Sequence, residues 1–211
     1  MRKAVIVLAI VLLVPALCAA DTSLRGRHQL ALELGMWNKT SNDYTHVRLT
    51  EVHTSVGSNG AMGGISYGHW IQENLAVTLG VRGRLLELST NVSPLKVVTD
   101  EASLSSLGLG MKYYFIPSTL TSNVRPYFKA TAGPMIGRQY STKVGFTVYT
   151  EERTEFAFGG QLATGLDIVT GRHFMLGVGF GYNLMSDFDQ SIGGIKNFSG
   201  PEFALEFSWL I

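Results

Sequence analysis

The sequence predicts an all-β protein, an eight-stranded antiparallel up-and-down β-barrel that crosses a membrane, and three observations lead there. Eight segments alternate apolar with small or polar residues at a period of two, the pattern of strands whose side chains point to opposite faces. Charged residues within those segments occupy the phase opposite the apolar one. The connections alternate between long polar stretches and short turns, the asymmetry of a barrel with external loops on one side of a membrane and tight turns on the other.

Composition sets the frame. Only 16% of the 211 residues are charged and 45% are apolar. Soluble domains average about 25% charged residues, whereas a helical membrane bundle would be far more apolar. Residues 1–20 stand apart. Arg2-Lys3 precedes an apolar run from Ala4 to Val14, then Pro15 and the small residues Ala19-Ala20. Basic start, apolar middle and small-residue end predict a signal peptide cut after Ala20. The run falls short of the roughly 20 residues of a membrane helix. Leu17 before Cys18 disfavours lipidation at that cysteine, the sole one in the chain. Loss of the leader removes two bases and no acid, so the net charge of +1 becomes −1. No disulfide framework remains. Near-neutral charge without a basic run argues against nucleic-acid binding. The expected organisation is residues 1–20 leader, 21–27 a short N-terminal segment, and 28–211 the barrel.

The first segment, residues 28–37, puts Leu30, Leu32, Leu34 and Met36 opposite Glu33. After a polar stretch at 38–59, the second (61–71) sets Ile65, Tyr67 and Ile71 against Gly64, Ser66 and Gly68, with Trp70 in the small-residue phase. A turn at Gln72-Glu73-Asn74 leads to the third (75–85), where Leu75, Val77, Leu79, Val81 and Leu85 oppose Arg82 and Arg84. The second polar stretch is 89–102. In the fourth segment Leu107 to Phe115 in steps of two oppose Gly108, Gly110 and Lys112. The fifth sets Phe128, Ala130 and Ala132 against Lys129, and Pro134 predicts a bulge or early fraying there. A third polar stretch, 137–153, precedes the sixth, in which Phe156, Phe158, Leu162, Leu166 and Ile168 oppose Gln161 and Asp167. After Thr170-Gly171-Arg172, the seventh alternates Phe174 to Leu184 with three glycines and Asn183. Residues 187–200 form the last long polar connection. In the eighth, Phe203, Leu205, Phe207, Trp209 and Ile211 oppose Glu202 and Glu206.

Four acids, Glu33, Asp167, Glu202 and Glu206, thus share a phase with four bases, Arg82, Arg84, Lys112 and Lys129. Lipid cannot solvate them, and Lys or Arg at the midplane of a lipid face costs about 2–4 kcal/mol. The charged phase must therefore point inward. An eight-stranded interior is just wide enough for side chains to fill, so the balanced charges are expected to pair in a plugged lumen, with inward glycines making room. With the N-terminus periplasmic, Phe115, Phe128, Phe174 and Trp209 form an aromatic girdle at the periplasmic side.

The leader, the eight segments and the ending Gly200-Pro-Glu-Phe-Ala-Leu-Glu-Phe-Ser-Trp-Leu-Ile211 resemble the small bacterial outer-membrane β-barrel proteins, the OmpA-barrel, OmpX and opacity-protein type. The resemblance covers the whole mature chain, residues 21–211. It implies outer-membrane lipids as surroundings, recognition of the last strand by the barrel assembly machinery, and a structural or adhesin-like role with an unidentified extracellular ligand at the loops. In that family the chain usually ends on an aromatic residue, whereas here Trp209 lies two residues before Ile211.

The catalytic motifs are weak. Gly64-Ile-Ser66-Tyr-Gly68 fits G-x-S-x-G, but a nucleophile elbow needs a following helix. Gly177-x-Gly179-x-Gly181 lacks the spacing and helix of a phosphate loop. His53 and Ser55 sit in a polar loop without a third partner, and no close histidine pair in sequence indicates a metal site. No enzyme activity, cofactor or metal is expected. A small-solute channel, a lipid-modifying barrel enzyme and a soluble lipocalin-like carrier stand as alternatives, separable by conductance, by lipid analysis after replacing Ser55 or Ser66, and by fractionation.

Overall fold

The computed structural model describes residues 24–38, 52–56, 60–93, 96–115, 123–144 and 148–211. The predicted leader lies outside them. Among the described residues nine strands are present: β1 (His28–Trp37), β2 (Val52–Val56), β3 (Ala61–Gln72), β4 (Leu75–Ser93), β5 (Lys96–Tyr114), β6 (Val124–Val144), β7 (Val148–Thr170), β8 (Phe174–Met185) and β9 (Gly200–Leu210). Eight of them close a ring in the order β1-β3-β4-β5-β6-β7-β8-β9, with β9 returning to β1 and every neighbour antiparallel. These eight are the strands the alternation predicts. Closure leaves no unpaired edge within the ring, the condition a sheet must meet in hydrocarbon.

The register fixes the dimensions. Stepping from His28 through His69, Val77, Met111, Ala130, Leu162, Tyr182 and Pro201 leads round the ring to Asn38, a stagger of ten residues. With eight strands this tilts the strands roughly 40° from the barrel axis, in the usual range. Apolar side chains coat the outside: Leu79, Leu109 and Phe207 are 47%, 61% and 47% exposed. Glu33, Arg84, Lys112, Asp167 and Glu202 are almost wholly buried. The molecule has the inverse of a soluble sandwich's polarity.

Four expectations need correction. The second and third polar stretches are paired backbone: β4 and β5 continue to Ser93 and from Lys96, and β6 and β7 continue to Val144 and from Val148. Their Thr- and Val-rich sequences favour strands without needing an apolar face. The first connection contributes β2, which pairs with the outer part of β4, Val52 opposite Val92. Pro134 neither bulges nor frays β6. It stays in register opposite Phe158, and its cost is a gap in the β5–β6 ladder between the Ser106–Met135 and Leu109–Ala132 pairs.

The last connection is the fourth correction. Residues 186–199 turn inward rather than out, reversing through Gly193 and Gly194, whose φ values of 57° and 78° suit glycine. They carry Phe188, Ile192 and Phe198 into the barrel mouth at the long-hairpin end, each 0–1% exposed.

Candidate functional site in the barrel interior

Every inward position comes from a strand whose opposite face is apolar, so the tilt and stagger decide which polar side chains meet. All eight predicted charges lie inside the ring, and seven contacts join them in one unbranched, alternating chain. Arg84 Nη2 lies 2.8 Å from Glu202 Oε2, and Glu202 Oε1 is 3.5 Å from Arg82 Nη1. Arg82 Nε is 2.6 Å from Glu33 Oε2, whose other oxygen is 2.7 Å from Lys129 Nζ. Lys129 is 3.9 Å from Glu206 Oε2, and Glu206 Oε1 is 3.2 Å from Lys112 Nζ. Lys112 ends the chain 2.7 Å from Asp167 Oδ2. It runs from the long-hairpin end of β4 to the short-turn end of β7, and each inner member touches two opposite charges.

Neutral groups fill the remaining valences. Gln29 Nε2 donates to Glu206 Oε1 and Ser208 Oγ, both at 2.7 Å. Tyr114 Oη donates to Asp167 Oδ2 at 2.8 Å. Gln161 accepts from Arg82 and donates to Glu202. Lys112 Nζ stands 4.0 Å from the centre of the Tyr127 ring, close enough for cation–π attraction. Tyr114, Tyr127 and Gln29 were not picked out from sequence, although they share the inward phase with the charges. Their signal was that phase alone.

Small residues make the space. A Cβ on Gly64 would fall 2.8 Å from Arg82 Cγ and 2.7 Å from the Val81 carbonyl oxygen. Gly177 and Gly179, two of the spaced glycines of β8, face Asp167 and the Tyr127 hydroxyl in the same way. The G-x-S-x-G motif lies mid-strand in β3, with Ser66 among inward residues. His53 and Ser55 lie on β2, opposite Asn91 and Ser89.

Apolar clusters flank the chain. At the short-turn end Leu24, Trp70, Ala76, Tyr114, Tyr127, Val169, Met175 and Leu210 pack together, with the Trp70 and Tyr114 rings stacked at 4.4 Å. Trp70 turns in because it continues the inward phase of Gly64, Ser66 and Gly68, while Ile71 points out; the bulge between Trp70 and Gln72 follows it. At the external end Phe188, Ile192 and Phe198 join Trp37, Met62, Leu104, Met135 and Met185. Between the clusters lies a cavity of about 30 Å³.

Phe115, Phe128, Phe174 and Trp209 all point outward. Phe174 meets Trp209 edge to face at 4.6 Å, and Phe115 meets Tyr113 at 5.3 Å. Phe128 lies opposite Tyr113, further into the wall than the other three. Beside them the rings of His28 and His69, paired across β1 and β3, stack at 4.7 Å. Among the described residues no group of three or more His, Cys, Asp or Glu is arranged to hold a metal ion.

The family model for the outer membrane protein beta-barrel domain matches residues 6–209. Among solved structures, the attachment invasion locus protein Ail of Yersinia pestis superposes with a TM-score of 0.53 at 12% identity, covering 89% of this chain and 99% of that one. Ail in complex with the heparin analogue sucrose octasulfate gives 0.54 at 11% identity over the same shares. Neisserial surface protein A gives 0.52 at 17% identity, covering 87% of this chain and 96% of that one. At these identities the likeness is one of fold. No curated protein matches the chain by sequence.

Proposed function

Because the chain belongs to the outer-membrane protein β-barrel family, we propose that it is a non-conducting surface barrel whose external hairpins make its contacts. It resides in the bacterial outer membrane, with lipid around its apolar wall. The observation that carries the reading is the occupied interior: eight paired charges between two apolar clusters, with an intervening cavity of about 30 Å³. Such a volume is on the order of one or two water molecules and offers no solute path.

Function then falls to what projects outward on a rigid scaffold. The β4–β5 and β6–β7 hairpins extend well beyond the apolar band, and the β6–β7 hairpin exposes Tyr149. Glu87, Asp100, Glu101, Glu151, Glu152, Glu155, Asp187 and Asp189 outnumber Lys96, Arg138, Lys143, Arg153 and Lys196 on the described external parts. This balance favours a basic partner over a polysulfated one such as Ail was crystallised with. The first connection, residues 38–59, and the third, residues 137–153, are the contact segments in this reading. The barrel assembly machinery reads β9, and Phe115, Phe128, Phe174 and Trp209 act as the periplasmic girdle. The chain carries no enzyme activity; in support, Ser66 sits mid-strand, where no nucleophile elbow forms.

Planar-bilayer recording of the folded barrel, with binding of cells to host-surface material before and after a short turn replaces residues 139–152, tests the reading. It expects electrical silence and a loss of binding. Stepwise conductance would support the small-solute channel instead.

A further inference from the structure

The two ends of the barrel carry opposite charge. Acids prevail on the long hairpins. Among the described residues the short-turn end instead holds Arg25, Arg27, Arg125 and Arg172 against one acid outside the interior, Glu73. Glu73, on the β3–β4 turn, accepts the Leu24 amide at 3.1 Å and the Arg25 amide at 3.3 Å. Two of the arginines meet elsewhere on this rim. Arg27, just before β1, sends Nη2 across the end of β9 to donate to the Arg172 carbonyl in the β7–β8 turn. Among the described residues the Arg172 guanidinium has no partner, and no carboxylate lies within ion-pair distance of either arginine.

The wall beneath this pair is aromatic. Trp209 meets Phe174 edge to face, and the His173 ring stacks on Trp209 at 6.3 Å. On the other side of β9, His28 stacks on His69, and its Nδ1 pairs with the Tyr67 hydroxyl. Leu30 is level with Trp209 in the register, and His28 lies two residues beyond it, roughly 6–7 Å of strand. The polar region of one leaflet is itself about 5–8 Å deep. Arg27 and Arg172 thus stand at headgroup depth when the aromatic rings sit at the edge of the hydrocarbon. Guanidinium groups match phosphate oxygens with paired N–H groups, and basic residues at this depth are drawn to anionic lipid.

We propose that the short-turn rim around the end of β9 binds one anionic glycerophospholipid, its phosphate held between Arg27 and Arg172 and its acyl chains laid on Trp209, Phe174 and the apolar wall. The occupant is a lipid because the cationic pair is continuous with that wall. A phosphate reaching the guanidiniums leaves its chains over two rings that are half exposed. The site is more specific than the general contact of the wall with lipid. It is independent of whether the barrel conducts and of what its hairpins bind.

The experiment is native mass spectrometry of the folded barrel released from bilayers of equal phosphatidylglycerol and phosphatidylcholine. The expected result is one phosphatidylglycerol retained in preference to phosphatidylcholine. Arg172→Gln is expected to lower that preference about fivefold, the equivalent of one basic group at an anionic surface. Arg27→Gln with Arg172→Gln is expected to abolish it. Lys196→Gln, which removes one positive charge at the long-hairpin end, is expected to leave it unchanged. Equal retention of the two lipids overturns the proposal, as does a preference that survives Arg172→Gln. Displacement of the lipid by millimolar inorganic phosphate also overturns it, since that marks a site for a free anion. Heat-modifiable gel migration confirms that each variant is folded. Arg172→Gln keeps the backbone carbonyl that holds Arg27, so it decides the matter even where the double variant does not fold.

Discussion

Lys112 Nζ lies 2.7 Å from Asp167 Oδ2 and 3.2 Å from Glu206 Oε1, at the periplasmic end of the charge chain and beside the Tyr127 ring. One ammonium group thus serves two buried carboxylates. Removing it leaves Asp167 without a cation and Glu206 with only the more distant Lys129, and stranding a buried charge costs about 3–5 kcal/mol. Lys112→Met is therefore expected to lower the urea midpoint of the folded-to-unfolded gel shift by that equivalent. Lys112→Met with Asp167→Asn is expected to recover part of it.

An unbranched chain also predicts which substitutions couple. Glu33 and Lys129 touch at 2.7 Å, and Arg84 and Asp167, at opposite ends, share no partner. A double-mutant cycle on Glu33→Gln and Lys129→Met is expected to give a coupling of about 0.5–3 kcal/mol, and one on Arg84→Gln and Asp167→Asn additivity within about 0.5 kcal/mol. Equal coupling in both would mean a diffuse cluster.

Two glycines on paired strands give a matched comparison. Gly64 faces in, against Arg82 and the Val81 carbonyl, whereas a Cβ on Gly83 meets nothing within 4 Å. Gly64→Ala is expected to cost about 1–3 kcal/mol, as overpacking does. Gly83→Ala is expected to leave the urea midpoint in place.

The alternation in sequence made the ring strands and the inward phase legible, because lipid outside and charge inside leave a strand only one way to face. Partner choice was not legible. Arg84 meets Glu202 across 118 positions of chain because of the stagger, which no single segment encodes. The apolar spacing of Phe188, Ile192, Ile195 and Phe198 was visible among polar neighbours, but only the mouth they fill gives it meaning. Pro134 misled for a similar reason. Proline removes one ladder bond, and the pairs on either side of the gap keep register.

The inward-turning connection predicts a separation of stability from conductance. Phe188→Ala empties part of the external cluster and is expected to cost about 3–5 kcal/mol. The charge chain and the periplasmic cluster around Trp70 remain, so bilayer recordings of the variant are expected to stay silent.

The inverted polarity itself is tested by depth-labelled lipids. The sole cysteine, Cys18, lies in the predicted leader, so single cysteines introduced at Leu79, Leu109 and Phe207 and at Thr78, Ser106 and Ser208 can each carry a small fluorophore. In bilayers containing brominated acyl chains, strong quenching is expected at the first three positions and little at the other three. Quenching at Thr78, Ser106 and Ser208 with protection of Leu79, Leu109 and Phe207 would contradict the account.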